Sequence, residues 1–190
     1  MRRIPVLVSL AALAACSQQP PANEAAATDT VATNTVVANE AAPAPQPTDA
    51  QGYMIAAAAS DLFAIRSSTL AAERSQNDAV KAYAKTVIAD RTDSAKRLAA
   101  AAREAGLTPP EPALTADQQA DLDALSALQG HDFDAEYARQ QLSALQRALL
   151  LTSNYANEGD TPALQEAARA TQGWVQRHLA VLRGMTGLSS

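Results

Sequence analysis

The sequence predicts an all-α fold: an antiparallel four-helix bundle with one short extra helix between the second and third long helices. Three observations point there. Beyond Gln51, apolar residues recur at steps of three and four, the period of a helix face that meets a partner. Cap residues, glycines and prolines cut this region into segments of helical length. Nothing alternates with the period of two that a half-buried strand needs, and alanine, the best helix former, dominates.

The first long helix is read from about 52 to 75, with an inward stripe of Ile55, Ala58, Leu62, Ile65, Thr69 and Ala72. The second runs from about 78 to 105, with Val80, Ala84, Val87, Arg91, Ser94, Leu98 and Ala101 on one face. The Pro-rich connection TPPEP follows it, then a short helix over about 116–128. Thr115 and Gln118 have the spacing of a capping box, in which each side chain satisfies a free backbone N–H of the other. The third long helix covers about 132–157, with Tyr137, Gln141, Ala144, Ala148, Leu151 and Tyr155 inward. The fourth covers about 161–185, with Leu164, Ala168, Thr171, Val175, His178, Leu182 and Met185. Asp78 and Asp160 are read as N-caps beside Thr115, and Gly106 and Gly159 as C′ residues with positive φ. Pro162 suits a first helical turn, where its missing N–H costs little. The breaks at Gln76-Asn77 and Gly159-Asp160 are short, so each pair of helices must run antiparallel.

The N-terminal region has another character. Arg2 and Arg3 precede a charge-free, mostly apolar run, Ile4 to Ala15, too short for the roughly 20 residues a membrane-spanning helix needs. It ends in Leu13-Ala14-Ala15-Cys16, which resembles the lipobox of bacterial lipoproteins. Residues 1–15 are therefore expected to be a cleaved lipoprotein signal, with Cys16 as the lipidated new N-terminus; the competing reading is an ordinary cleaved signal. Ser17, in the sorting rule this resemblance implies, directs the chain to the outer membrane, facing the periplasm. Residues 17–50 contain no aromatic residue, no Leu, no Ile and five prolines. Such a segment cannot bury enough apolar surface to offset its ordering entropy, so 16–50 reads as a lipidated cysteine and a disordered tether with a span of roughly 30–35 Å. Residues 51–190 form the helical domain.

Charge and cysteine count exclude several functions. Without Arg2 and Arg3 of the signal, the 15 basic side chains fall to 13 against 20 acidic, a net charge of −7. No basic run stands out to meet phosphates, so nucleic acid is not an expected partner. Cys16 is the one cysteine, and lipidation would consume its sulfur, leaving no thiol nucleophile or disulfide. The expected partners are the membrane, through Cys16, and a protein or cell-wall component of unknown identity.

The stretches SDLFAIRSSTLAAERSQNDAVKAYAKTVIADRT, AAREAGLTPP, FDAEYARQQLSALQRALLLTSNYANEGDTPALQEAA and VQRHLAVLRGM, in this order, resemble the ferritin-like domain-of-unknown-function family 4142 of bacterial secreted and lipoprotein chains. The resemblance implies a helical bundle without an assigned biochemical function. It also implies that relatives carry His at the positions of Arg91 and Leu145, alongside the His shared at His178. Glu stands at the position of Ala64 in relatives with the SDLFEI form. Those residues could form a polar or metal cluster; here His178 alone remains of the set. A guanidinium has no lone pair to give a metal and repels cations. The Glu-x-x-His of di-iron bundles is absent from the chain. No metal, no other cofactor and no catalytic residue is expected.

The candidate polar core is Asp61, Arg91, Gln141 and His178. An inward guanidinium needs acceptors, and the hairpin register puts Arg91 level with Leu62, one residue from Asp61. Two readings stand: an Asp61–Arg91 pair, or a head that snorkels to water. His178 lies level with Gln140 and Gln141 and is expected to be a hydrogen-bonded core histidine, with pH sensing as the competing role. His131, at a helix start, is expected at the surface. The functional reading is a non-catalytic periplasmic binding, spacing or stress-related module; a metal-binding ferritin-like redox protein is the alternative. A hydrolase is weaker, because no nucleophile or orienting acid can be placed beside His178.

Overall fold

The structure, a computed structural model, describes residues 45–186, with side chains to 185. The expected signal, Cys16 and most of the expected tether lie outside the described residues. Within them the fold is all-α, with no strand: α1 (Ala50–Arg74), α2 (Asp78–Glu104), α3 (Ala116–Ser126), α4 (Gly130–Glu158) and α5 (Pro162–Thr186). No helix among the described residues is long and apolar enough to cross a membrane.

Local chemistry sets the helix ends. Asp49 caps α1 by accepting from the Gly52 N–H at 2.7 Å. The cap of α2 is Asn77, one residue earlier than expected: its side-chain Oδ1 accepts from the Ala79 and Val80 N–H groups, and Asp78 is the first helical residue. At the far end of α2, Gly106 adopts φ +72°. The Leu107 N–H then reaches Ala102 O and the Gly106 N–H reaches Arg103 O, the two bonds of a Schellman closure. The Thr115–Gln118 capping box is present on α3. α4 starts at Gly130, φ +57°, two residues before the expected start.

Gly159 departs from its expected role. Its φ is −66°, an ordinary value. What requires glycine is space, because a Cβ there would stand 2.5 Å from the Tyr155 carbonyl oxygen and 2.7 Å from its ring. Asp160 departs from its expected cap role too: α5 begins at Pro162, and the Asp160 carboxylate accepts from the Tyr155 and Thr161 hydroxyls. Residues 47–49, assigned above to the tether, hold firm contacts. The Thr48 carbonyl accepts from the Asp160 N–H, and the Pro47 carbonyl from the Asn154 side chain.

The four long helices each pack on two others in the order α1, α2, α5, α4 and back to α1, while α3 lies against α1 and α4. Cross-helix pairs show the directions. On α1 and α4, Tyr53 stacks on Tyr155 while Ser68 bonds Tyr137, so the two run opposite ways. On α2 and α5, Tyr83 meets His178 while Arg91 meets Trp174, again antiparallel.

Two large apolar clusters and a small third one, Phe63 with Leu122 and Ala144 where α3 meets α1 and α4, fill the interior. One large cluster gathers Val80, Val87, Tyr137, Leu145, Val175 and Leu182. The other gathers Met54, Leu98, Leu151, Tyr155 and Leu164 toward the opposite end of the same helices. The inward stripes expected for α2 and α4 are buried throughout, and that of α5 is buried up to Leu182, with Met185 exposed. The stripe expected for α1 is rotated. Ile55 is 51% exposed, and the buried residues are mainly small: Ala58, Ala59, Ala64, Ser67, Ser68 and Ala71 beside Tyr53, Met54 and Phe63. α1 touches three helices, so small residues on its inner faces allow close approach. Leu62 and Ile65 instead line an outer groove of about 240 Å³ with Leu98 of α2 and Pro109, Pro110 and Pro112 of the connector.

Candidate functional site: a polar layer between two apolar clusters

Along α1, Asp61 falls between cluster members Ala58 and Ala64; along α2, Arg91 and Ser94 fall between Val87 and Leu98; along α5, Thr171 falls between Ala168 and Trp174. The chain thus places a charged and hydroxylic layer where the two apolar clusters meet. The helical period does this directly, because Val87, Arg91, Ser94 and Leu98 share one face at steps of four, three and four.

Arg91 is 2% exposed and Asp61 4%. The Arg91 Nη1 donates to Asp61 Oδ1 at 3.0 Å. The guanidinium carbon stands 4.2 Å from the centre of the Trp174 ring, so α5 covers one face of the cation with an aromatic π-surface. Arg91 is therefore inside and does not snorkel. Its Nε and Nη2 have no protein partner. Burial pushes the Asp61 carboxyl above its usual range, against the lowering pull of the Arg91 charge and of hydrogen bonds from Arg91 and Ser94.

His178 takes a partner other than the one its register suggested. Its Nε2 lies 2.7 Å from Asp90 Oδ2 on α2, not against Gln140 or Gln141 on α4. The physical reason is rotational: His178 points to the α2–α5 seam, where its ring meets Tyr83 and Trp174 edge to face at 5.5 and 5.6 Å. Gln141 turns to α1 and donates to Ser67 Oγ at 2.8 Å, next to the Ser68–Tyr137 hydroxyl pair at 2.8 Å. Gln140 donates to the Asp121 carbonyl of α3 and to Glu136. His131 is at the surface, with its side chain 95% exposed.

Asp90, Tyr83, Ser67 and Ser68 belong to this polar interior, and sequence reasoning did not single them out. Asp90 lies beside the inward stripe of α2, with its side chain 40% exposed, and the two serines lie on the rotated face of α1. Burial raises the Tyr83 and Tyr137 phenols well above their usual range. Burial and the Asp160 carboxylate push Tyr155 up to about 12.

The arrangement limits its own chemistry. Among the described residues, no three His, Cys, Asp or Glu side chains stand close enough together to hold a metal ion. The positions where the family resemblance implies carboxylate and imidazole are all buried, as Ala64, Arg91, Leu145 and His178. Ala64 and Leu145 are members of the same apolar cluster.

Two solved structures share this fold. The crystal structure of a DUF305 fragment from Deinococcus radiodurans matches with a TM-score of 0.64 and 18% identity, covering 75% of this chain and 99% of that one. CopM in the Cu(II)-bound form matches with a TM-score of 0.63 and 19% identity, covering 74% of this chain and 97% of that one. At these identities the likeness is one of fold. No curated protein matches the chain. Residues 34–185 match the profile of a domain of unknown function, DUF4142, and the chain belongs to that family.

Proposed function

We propose that this chain is an envelope lipoprotein, anchored through Cys16 in the outer membrane, that presents a non-catalytic helical module to the periplasm. Its five helices are read as an antiparallel ferritin-like four-helix bundle with α3 as the extra short helix. The module binds, spaces or protects a protein or cell-wall partner in the periplasm, and the segment after Cys16 sets its distance from the lipid.

The observation that carries the non-catalytic reading is the Asp61–Arg91 pair. A permanently positive guanidinium, seated between the apolar clusters and covered by Trp174, occupies a position where a ferritin-like centre would need a lone-pair donor. The second reading, a metal-binding redox protein, draws on the fold shared with CopM, described as Cu(II)-bound. Among the described residues, His178, which is buried, and Asp90 bring one imidazole and one carboxylate together, two of the donors such a site would need. Metal analysis of the full chain, purified without chelator, separates the two readings. We expect no stoichiometric copper, iron or manganese; one equivalent of any of them would overturn the non-catalytic reading. For the anchor, Cys16→Ser is expected to move the protein from the membrane to the soluble fraction, and unchanged membrane association would refute it.

A further inference from the structure

A small cavity of about 20 Å³ lies in the polar layer, with Asp61, Arg91, Ser94, Thr152 and Thr171 among its lining residues. A site needs roughly 10–15 Å³ of this kind of volume, and two to four polar partners, to hold one water. This cavity satisfies both conditions and is too small for an organic ligand.

Its donors and acceptors are complementary. Arg91 brings N–H groups: Nη1 is committed to Asp61, while Nε and Nη2 are buried without a protein partner. The guanidinium is planar, so these N–H groups point outward in its plane, and Trp174, stacked on one face, takes none of them. The threonines bring lone pairs. Thr152 Oγ1 donates its own proton to the Ala148 carbonyl and Thr171 Oγ1 to the Ala167 carbonyl, which leaves each oxygen able to accept. An oxygen that accepts from Arg91 and donates to the threonines answers both needs.

Charge narrows the ligand further. An anion in the cavity would face the Asp61 carboxylate, and a cation would face the Arg91 guanidinium. The pair together is formally neutral and selects a neutral ligand that both donates and accepts. We propose that this cavity is a built site for a single structural water, which accepts from Arg91 and donates to Thr152 and Thr171, tying α2 to α4 and α5.

Two measurements on the full chain test this. In nuclear magnetic resonance of the ¹⁵N-labelled protein, the Arg91 Nε–H is expected to be protected from exchange and to show a cross-relaxation peak to a long-lived water. In the double variant Thr152→Val, Thr171→Val, which keeps the side-chain shapes, that peak is expected to disappear while the Asp61–Arg91 pair persists. A wild-type Nε–H without a water peak, or a peak unchanged in the double variant, overturns the assignment. Crystals grown in bromide give the second readout. We expect density in the cavity without an anomalous signal, whereas a bromide peak would make it an anion site and an empty cavity would make it a void.

Discussion

Removing either member of the Asp61–Arg91 pair should cost far more than removing both. At 3.0 Å the attraction between unit charges is about 5–6 kcal/mol at an effective dielectric of about 20. The Trp174 face adds up to about 2 kcal/mol for a desolvated cation. Against this stands a desolvation cost of several kcal/mol for each ion. The sum is close to balanced, so the intact pair stabilises little by itself. A lone partner is different, because it keeps its full desolvation cost and loses the compensation. Arg91→Met and Asp61→Ala should each lower stability by about 3–5 kcal/mol. The double variant should return to within about 1–2 kcal/mol of wild type, giving a coupling energy of at least about 4 kcal/mol. Urea unfolding followed by helical circular dichroism, extrapolated linearly to water, measures all four proteins. Coupling below about 0.5 kcal/mol, the ordinary scatter of additivity, would refute the reasoning.

Three further outcomes follow from the geometry. Gly159→Ala should destabilise by about 1–3 kcal/mol, through collision with Tyr155 and not through φ; Gly106→Ala, at φ +72° in open space, should cost about 1–2 kcal/mol through backbone strain alone. If urea melts showed Gly159→Ala to be neutral, the close approach at Tyr155 would be wrong. Tyr53, Tyr83, Tyr137 and Tyr155 all have raised pKa values, so the folded state binds their protons more tightly than the unfolded state does. Their contribution is complete below about pH 10 and is lost as pH rises toward the folded values, at up to about 1.4 kcal/mol per pH unit for each phenol that ionises on unfolding. A pH series of melts from 9 to 12 should show this decline, and replacing Tyr83 by Phe should make it shallower. Asp90→Ala should cost about 1–3 kcal/mol by leaving the His178 ring nitrogen buried without its partner; a loss equal to that of an Ala substitution at exposed Asp93 would remove the structural role of the contact.

Periodicity and capping chemistry are properties of short stretches, so they survive without tertiary information. The α2 stripe, with Arg91 at its centre, is set by one helical repeat and is buried as read. The Thr115–Gln118 box depends on residues three apart, and Gly106 on one positive φ next to a finished helix. The all-α class and family membership follow from the same local signals repeated in order.

What the sequence could not decide is rotation and contact across helices. α1 is rich in alanine and serine on several sides, so its few large residues drew the apparent stripe toward Ile55, Leu62 and Ile65. Only the packing of α1 against three neighbours selects the small-residue faces as inner ones. His178 could be placed inside by its spacing, but its partner depended on whether α5 turns that ring toward α2 or α4. The Trp174 face over Arg91 joins side chains 83 residues apart, and no local pattern encodes that distance. The amino-acid order thus determined which segments coil and, on α2, α4 and α5, which face turns inward; helix rotation and tertiary packing decided the inner face of α1 and which polar groups meet, because side-chain contacts between helices depend on angles and separations that neighbouring residues do not set.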